Sequence, residues 1–202
     1  MRTQLAKVAA ALILGLCLNG CAPIDSIYPL YNVNDAEFDV RLLGTWQPIS
    51  ENGSDSDKDQ RWIFEQSKDD KFYDARWTSV GAKGGFVTRA RLVRLGSGLF
   101  IDLEGNDHLD DQTNSDFTVP FPFITTHFIG RIWIEQDTLR IRFLSDDWIK
   151  KQTKANTLSL AHLETNQEQI LTASTEDLRK FMQAHADDYD ALAEKFEFQR
   201  VK

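Results

Sequence analysis

Alternation is what most constrains this chain. Along residues 86–95, Ala90 and Leu92 alternate with Arg89 and Arg91; along 138–144, Leu139, Ile141 and Phe143 alternate with Arg140 and Arg142. A period of two marks a strand with one face buried and the other in water. Leu99, Ile101 and Leu103 keep that period after Gly96-Ser97-Gly98, a hairpin signal, and residues 126–135 meet 138–144 across Gln136-Asp137. Further strands are expected at 61–66, with Trp62 and Phe64 on one face, at 72–79, and from Gly44-Thr45-Trp46 onward. Neighbouring strands joined by short turns run antiparallel. The expected fold is therefore mainly β, an antiparallel meander.

The last third of the chain reads differently. Ser145 caps a helix through Lys151, with Asp146 and Asp147 in the first turn, where the helix dipole favours them. Short strands are expected at 158–163 and 169–172. Ser174, with Asp177 three residues on, is a capping-box signature. It opens a helix expected at about 175–195, whose apolar face is Leu178, Phe181, Met182, Tyr189, Leu192 and Phe196, with Asp187-Asp188 as a point of interruption. Residues 196–201 alternate again. Near the start, Asp35 is expected to cap a short helix through Leu43. Residues 35–202 suit one β-rich domain.

The amino terminus has a separate logic. Arg2 and Lys7 precede an uncharged apolar run at 8–18. That run is far short of the roughly 20 residues needed to span a bilayer, so it is a signal sequence rather than a transmembrane helix. It ends in Leu18-Asn19-Gly20-Cys21, which resembles the lipobox of bacterial lipoproteins. The resemblance implies cleavage after residue 20, diacylglycerol on the Cys21 thiol and acylation of the new amino terminus. Each buried CH₂ contributes about 0.8 kcal/mol, so two or three acyl chains hold firmly. Ala22 stands where inner-membrane retention favours Asp. By resemblance to Gram-negative sorting, this implies the outer membrane, periplasmic face, with a cell surface as the alternative. Residues 21–34, containing Pro23 and Pro29, are expected to be a lipidated tether.

Loss of residues 1–20 leaves 182 residues and removes Arg2 and Lys7, moving the net charge from −8 to −10. Nucleic-acid binding needs a basic stripe and is not expected. Cys17 leaves with the signal and Cys21 is acylated, so the mature chain has no thiol for a disulfide, for catalysis or for a metal.

Gly44 and Trp46 form a Gly-x-Trp near the start of a strand meander that ends in a helix and a closing strand. This order resembles the lipocalin or calycin architecture. In that family the Trp plugs the closed end of the barrel and a basic residue near the C-terminus packs across its ring, which implies Arg200 here. The resemblance implies that the meander closes into a barrel or half-barrel with a C-terminal helix. The chain also resembles envelope lipoproteins without an assigned activity.

Candidate sites are few. Asp55-Ser56-Asp57-Lys58-Asp59 opens like a calcium loop, but Gln60 stands where Gly is needed and Gln66 where the bidentate Glu belongs. Glu104, Asp107, His108, Asp110, Asp111 and Asp116 make a second acidic stretch, in a composition typical of turns. No metal and no cofactor is expected. The histidines at 108, 127, 162 and 185 lack the spacing of a metal pair, and no nucleophile motif occurs, so no enzyme is expected. Phe117, Val119, Phe121 and Phe123 alternate around two prolines, which bar a central strand. They are read as an apolar lip or partner patch, or as a loop folded on its own core. His127 either faces a cavity or is a satisfied strand histidine. Arg89, Arg91, Arg94, Arg131, Arg140 and Arg142 either line an anion-binding interior or lie on the solvent face paired with carboxylates. The expected function is that of an outer-membrane-anchored module binding an apolar small molecule or lipid. The alternative is an accessory envelope protein acting through its surface on a protein partner.

Overall fold

The computed structural model describes residues 23–49, 58–68, 71–82, 85–105, 125–164 and 169–202. Cys21, Ala22, both acidic loops for most of their length, and the alternating residues Phe117, Val119, Phe121 and Phe123 lie outside them. In chain order the strands are β1 (Asp25–Ser26), β2 (Ala36–Glu37), β3 (Gly44–Pro48), β4 (Gln60–Gln66), β5 (Tyr73–Ser79), β6 (Phe86–Leu95), β7 (Gly98–Gly105), β8 (His127–Ile134) and β9 (Thr138–Phe143). After them come helix α1 (Asp146–Lys154), β10 (His162–Glu164), β11 (Gln169–Leu171), helix α2 (Thr175–Ala184) and β12 (Glu194–Arg200).

Each strand from β3 to β9 pairs antiparallel with the next, and β12 fills the gap between β9 and β3. Eight antiparallel strands thus form a closed barrel with no free edge: the meander is the one the alternation implies, and closure decides between the barrel and the half-barrel that the resemblance left open. Residues two apart point into it: Trp62 and Phe64, Tyr73 and Ala75, Ala90 and Leu92, Ile101 and Leu103, Ile132 and Ile134, then Leu139, Ile141 and Phe143, with Trp46 and Phe198 beside them. Burying a large apolar side chain contributes about 1.5–3 kcal/mol, so this inward face dominates the stability of the ring.

A second core lies on the outside. Val93, Leu95, Phe100 and Ile129 face out from β6, β7 and β8 and are covered by Leu178, Phe181 and Met182 of α2, Ile149 of α1, and Ile24 and Leu30. The two helices and the connection through β10 and β11 are therefore an external layer. β11 lies parallel to β1, which pairs in turn with the start of β8.

Three expectations need correction. Residues 23–34 are not a free tether. Pro23 bridges to Ser145, the Ile24 N–H bonds Leu144 at 3.1 Å, and Ile24, Ser26 and Leu30 are buried. Two-residue strands carry too little periodicity to be seen in the sequence. The helix expected from Asp35 to Leu43 is replaced by β2, paired with β6, and a 3₁₀ turn at Val40–Leu42 capped by Asp39. α2 stops at Ala184, well before residue 195. There Asp188 Oδ1 accepts the N–H groups of Asp190 and Ala191 at 3.1 Å each, a local bond that competes with helix continuation. The expected apolar face is divided as a result: Leu192 is buried beyond the helix, Tyr189 is 54% exposed, and Phe196 belongs to β12.

Candidate functional site

One end of the barrel is sealed. The Trp46 indole donates to Leu42 O at 2.9 Å, and the Arg200 guanidinium lies 4.1 Å from the Trp46 ring centroid. Stacking of this kind suits a planar guanidinium over an indole. Arg200 also donates to Leu43 O at 2.7 Å, to Gln136 O at 3.1 Å and to Arg41 O. Its donors are thereby spent on the 3₁₀ turn, the β8–β9 turn and the start of β3. Gly44 sits at φ +117°, and an added Cβ would lie 2.9 Å from Arg200 Nη1. The position thus needs glycine for its backbone as well as for the space. The arrangement closes an end and offers no reactive group.

The interior is occupied by side chains. Trp62 lies 4.6 Å from Phe64 and 5.3 Å from Phe198 between ring centroids, and Trp46, Tyr73, Phe64 and Phe198 are fully buried. An eight-stranded barrel is just wide enough for such residues to fill it.

His127 faces outward, on the same side of β8 as Ile129, away from the barrel interior. Its Nδ1 lies 2.7 Å from Asp102 Oδ1, and Asp102 Oδ2 accepts the Leu30 N–H at 2.6 Å. Tyr31 meets His127 edge-on at 6.3 Å, and the Arg91 guanidinium is sandwiched against Tyr31 (3.9 Å) and Phe72 (3.0 Å). Burial raises the Tyr31 pKa, with the nearby Glu104 charge acting in the same direction. Ser26 is the cross-strand neighbour of His127, so the residue types of a nucleophilic triad stand near one another. The serine hydroxyl, however, donates to Tyr28 O at 2.8 Å, and Ser26 is wholly buried. A nucleophile must be free to reach both a base and a substrate. The cluster instead clamps residues 26–31 onto the barrel.

Of the arginines flagged in the sequence, Arg89, Arg91, Arg131, Arg140 and Arg142 lie on the outer face, while Arg94, between outward-facing Val93 and Leu95, stands on the opposite side at the exposed end of β6. Arg94 pairs with Glu37 at 2.8 Å, Arg140 with Glu135 at 2.5 Å, and Arg131 with Asp187. Arg91 is the exception to the solvated reading, being buried between aromatic rings. Sequence reasoning missed Asp102, Arg91 and Tyr31 as a group. The available signal was Asp102 itself, a carboxylate within the apolar run of residues 99–103.

Among the described residues no three His, Cys, Asp or Glu side chains gather in a metal-holding group, and no helix is long and apolar enough to cross a membrane. No protein-family model, no curated protein and no solved structure matches the chain.

Proposed function

We propose that this protein is a lipid-anchored component of the outer membrane, on its periplasmic face, that works through its outer surface on a partner. The barrel serves as the scaffold for that surface. The observation that carries this reading is that, among the described residues, Trp46, Trp62, Phe64, Tyr73 and Phe198 pack together as one buried cluster inside the barrel. A barrel that holds a ligand keeps an open cavity, commonly of 300 Å³ or more. The anchor rests on the resemblance of residues 18–21 to a lipobox and on the short apolar run before them.

The rival is the small-molecule or lipid binding module that the Gly-x-Trp resemblance implies. Native mass spectrometry separates the two. Residues 22–202, produced without the signal sequence and analysed straight from cells, are expected to give the bare protein mass, and to keep it after exposure to lipid extract. An added mass that disappears on denaturation and survives substitutions on the outer face would overturn the surface reading in favour of a ligand inside the barrel.

A further inference from the structure

The strand register on the outer face of β8, β9 and β12 aligns three cations in a single cross-strand row. Arg131 stands opposite Arg142, and Arg142 opposite Lys195. The next row is Trp133, Arg140 and Glu197. Like charges directly opposite one another weaken a sheet. The chain has 31 acidic residues against 23 basic ones, yet no carboxylate stands in the row itself; Asp187 and Glu197 reach its two outer members, Arg131 and Lys195, from outside it. Repulsion of this kind is relieved when an anion sits on the row.

Two aromatic rings frame it. Tyr189, from the connection between α2 and β12, covers Arg142, whose Cζ lies 4.7 Å from the ring centroid. Trp133 has Arg131 at 4.8 Å and Arg140 at 5.9 Å from its ring. Trp133, Arg140, Arg142, Tyr189, Lys195 and Glu197 together line a cleft of about 310 Å³. Among the described residues, carboxylates reach every cation but the central one: Asp187 bonds Arg131, Glu135 bonds Arg140, and Glu197, itself in the lining, lies 3.3 Å from Lys195. Arg142 in the centre donates to a neutral group, Leu192 O at 3.1 Å, which leaves its charge undiminished. Tyr189, more than half exposed, presents ring surface to solvent beside that charge.

We infer that this cleft binds a sugar unit carrying a phosphate or carboxylate. The anion is held by Arg140, Arg142 and Lys195 through charge-assisted hydrogen bonds, and the apolar face of the sugar ring packs on Tyr189 and Trp133. The volume suits one ring with its substituent rather than a long chain. The inference rests on the surface-acting reading above and names the chemistry of what that surface meets. The same chemistry is offered by a free saccharide and by a glycolipid headgroup.

The test follows the Trp133 indole N–H, assigned through Trp133→Phe, and the arginine Nε signals by NMR in residues 22–202. Glucose 6-phosphate and glucuronate are expected to shift the Trp133, Arg140 and Arg142 signals, whereas glucose is not. Arg142→Gln and Arg140→Gln are each expected to weaken binding about tenfold, the loss of one charge-assisted bond. Tyr189→Ala, at an exposed ring, gives a second reading without disturbing the core. Pelleting with phosphatidylcholine vesicles, with and without phosphatidylinositol, tells the source: binding only to the latter assigns a lipid headgroup, binding only in solution a free saccharide. Silence with every anion, shifts unaffected by the three variants, or inorganic phosphate binding as tightly as glucose 6-phosphate would overturn the inference. A silent cleft alongside a bare native mass sinks this inference alone; an adduct that Arg142→Gln and Tyr189→Ala abolish belongs to the cleft, whereas an adduct that both variants keep sinks the surface-acting reading itself.

Discussion

The hydroxyl of Tyr73 accepts the Asp39 N–H at 2.6 Å and donates to the carbonyl of the same residue at 3.2 Å. One inward-facing ring therefore fastens the 3₁₀ turn whose Leu42 seals the barrel. Burial drives the Tyr73 pKa up from 10.0 to about 12, against the smaller opposing effect of its bond to Asp39. A folded-state pKa raised above the unfolded value gives stability that is complete below pH 10 and is lost as the pH rises through about 12. Urea denaturation at several pH values is expected to show this loss. Tyr73→Phe is expected to cost about 1 kcal/mol at pH 7, since a part-buried N–H loses its acceptor, and to show a shallower decline between pH 10 and 12. Equal stability at pH 7 and equal slopes for the two proteins would refute the role. The alternation places Tyr73 two residues before Ala75 on the inward face, but no pattern shows what its hydroxyl meets, because Asp39 is 34 residues away in the chain.

At the scale of elements, the long strands were legible and the short segments were not. β6 spans residues 86–95 as the alternation implies, and the Gln136-Asp137 turn joins β8 to β9. The start of α2 was equally plain, with the Ser174 hydroxyl accepting the Asp177 N–H at 3.2 Å. Its end was hidden, because hydrophobic spacing continues past a residue, Asp188, whose side chain satisfies the backbone in another way. The docking of residues 23–31 was hidden for a different reason. It depends on Asp102 and His127, which come together only when β7 and β8 pair. Asp102→Ala leaves both the Leu30 N–H and His127 without their partner. The expected cost is about 2–6 kcal/mol, at about 1–3 for each buried orphan. Hydrogen exchange is expected to show the Leu30 amide opening well before the barrel amides. An unchanged Leu30 exchange rate would remove the clamp from the account.

For the whole molecule, the mainly β fold follows from the alternation, and the Gly-x-Trp resemblance implied a barrel or half-barrel; closure was not legible, because it depends on β12 pairing with both β9 and the distant β3. The outer cleft does not, because Trp133, Arg142, Tyr189 and Lys195 are brought together only by strand register and by a loop whose course the sequence hides. The anchor is tested by Cys21→Ser, which is expected to abolish the acyl mass and move the protein from the membrane to the soluble fraction; retention at the membrane would remove the lipid from the proposal. On that proposal, the bridge between Pro23 and Ser145 takes on a mechanical meaning. Cys21 and Pro23 are two Cα steps apart, about 8 Å at most, so the domain hangs on no rope. β9 runs from the Gln136 turn, where Arg200 is fastened, toward Ser145, so the hub of attachment and the Trp46 seal lie at opposite poles. Anchored in that way, the protein would be a bracket bolted at one pole, its heading set by its own backbone, with the flank and the far cap left as the faces open to a partner.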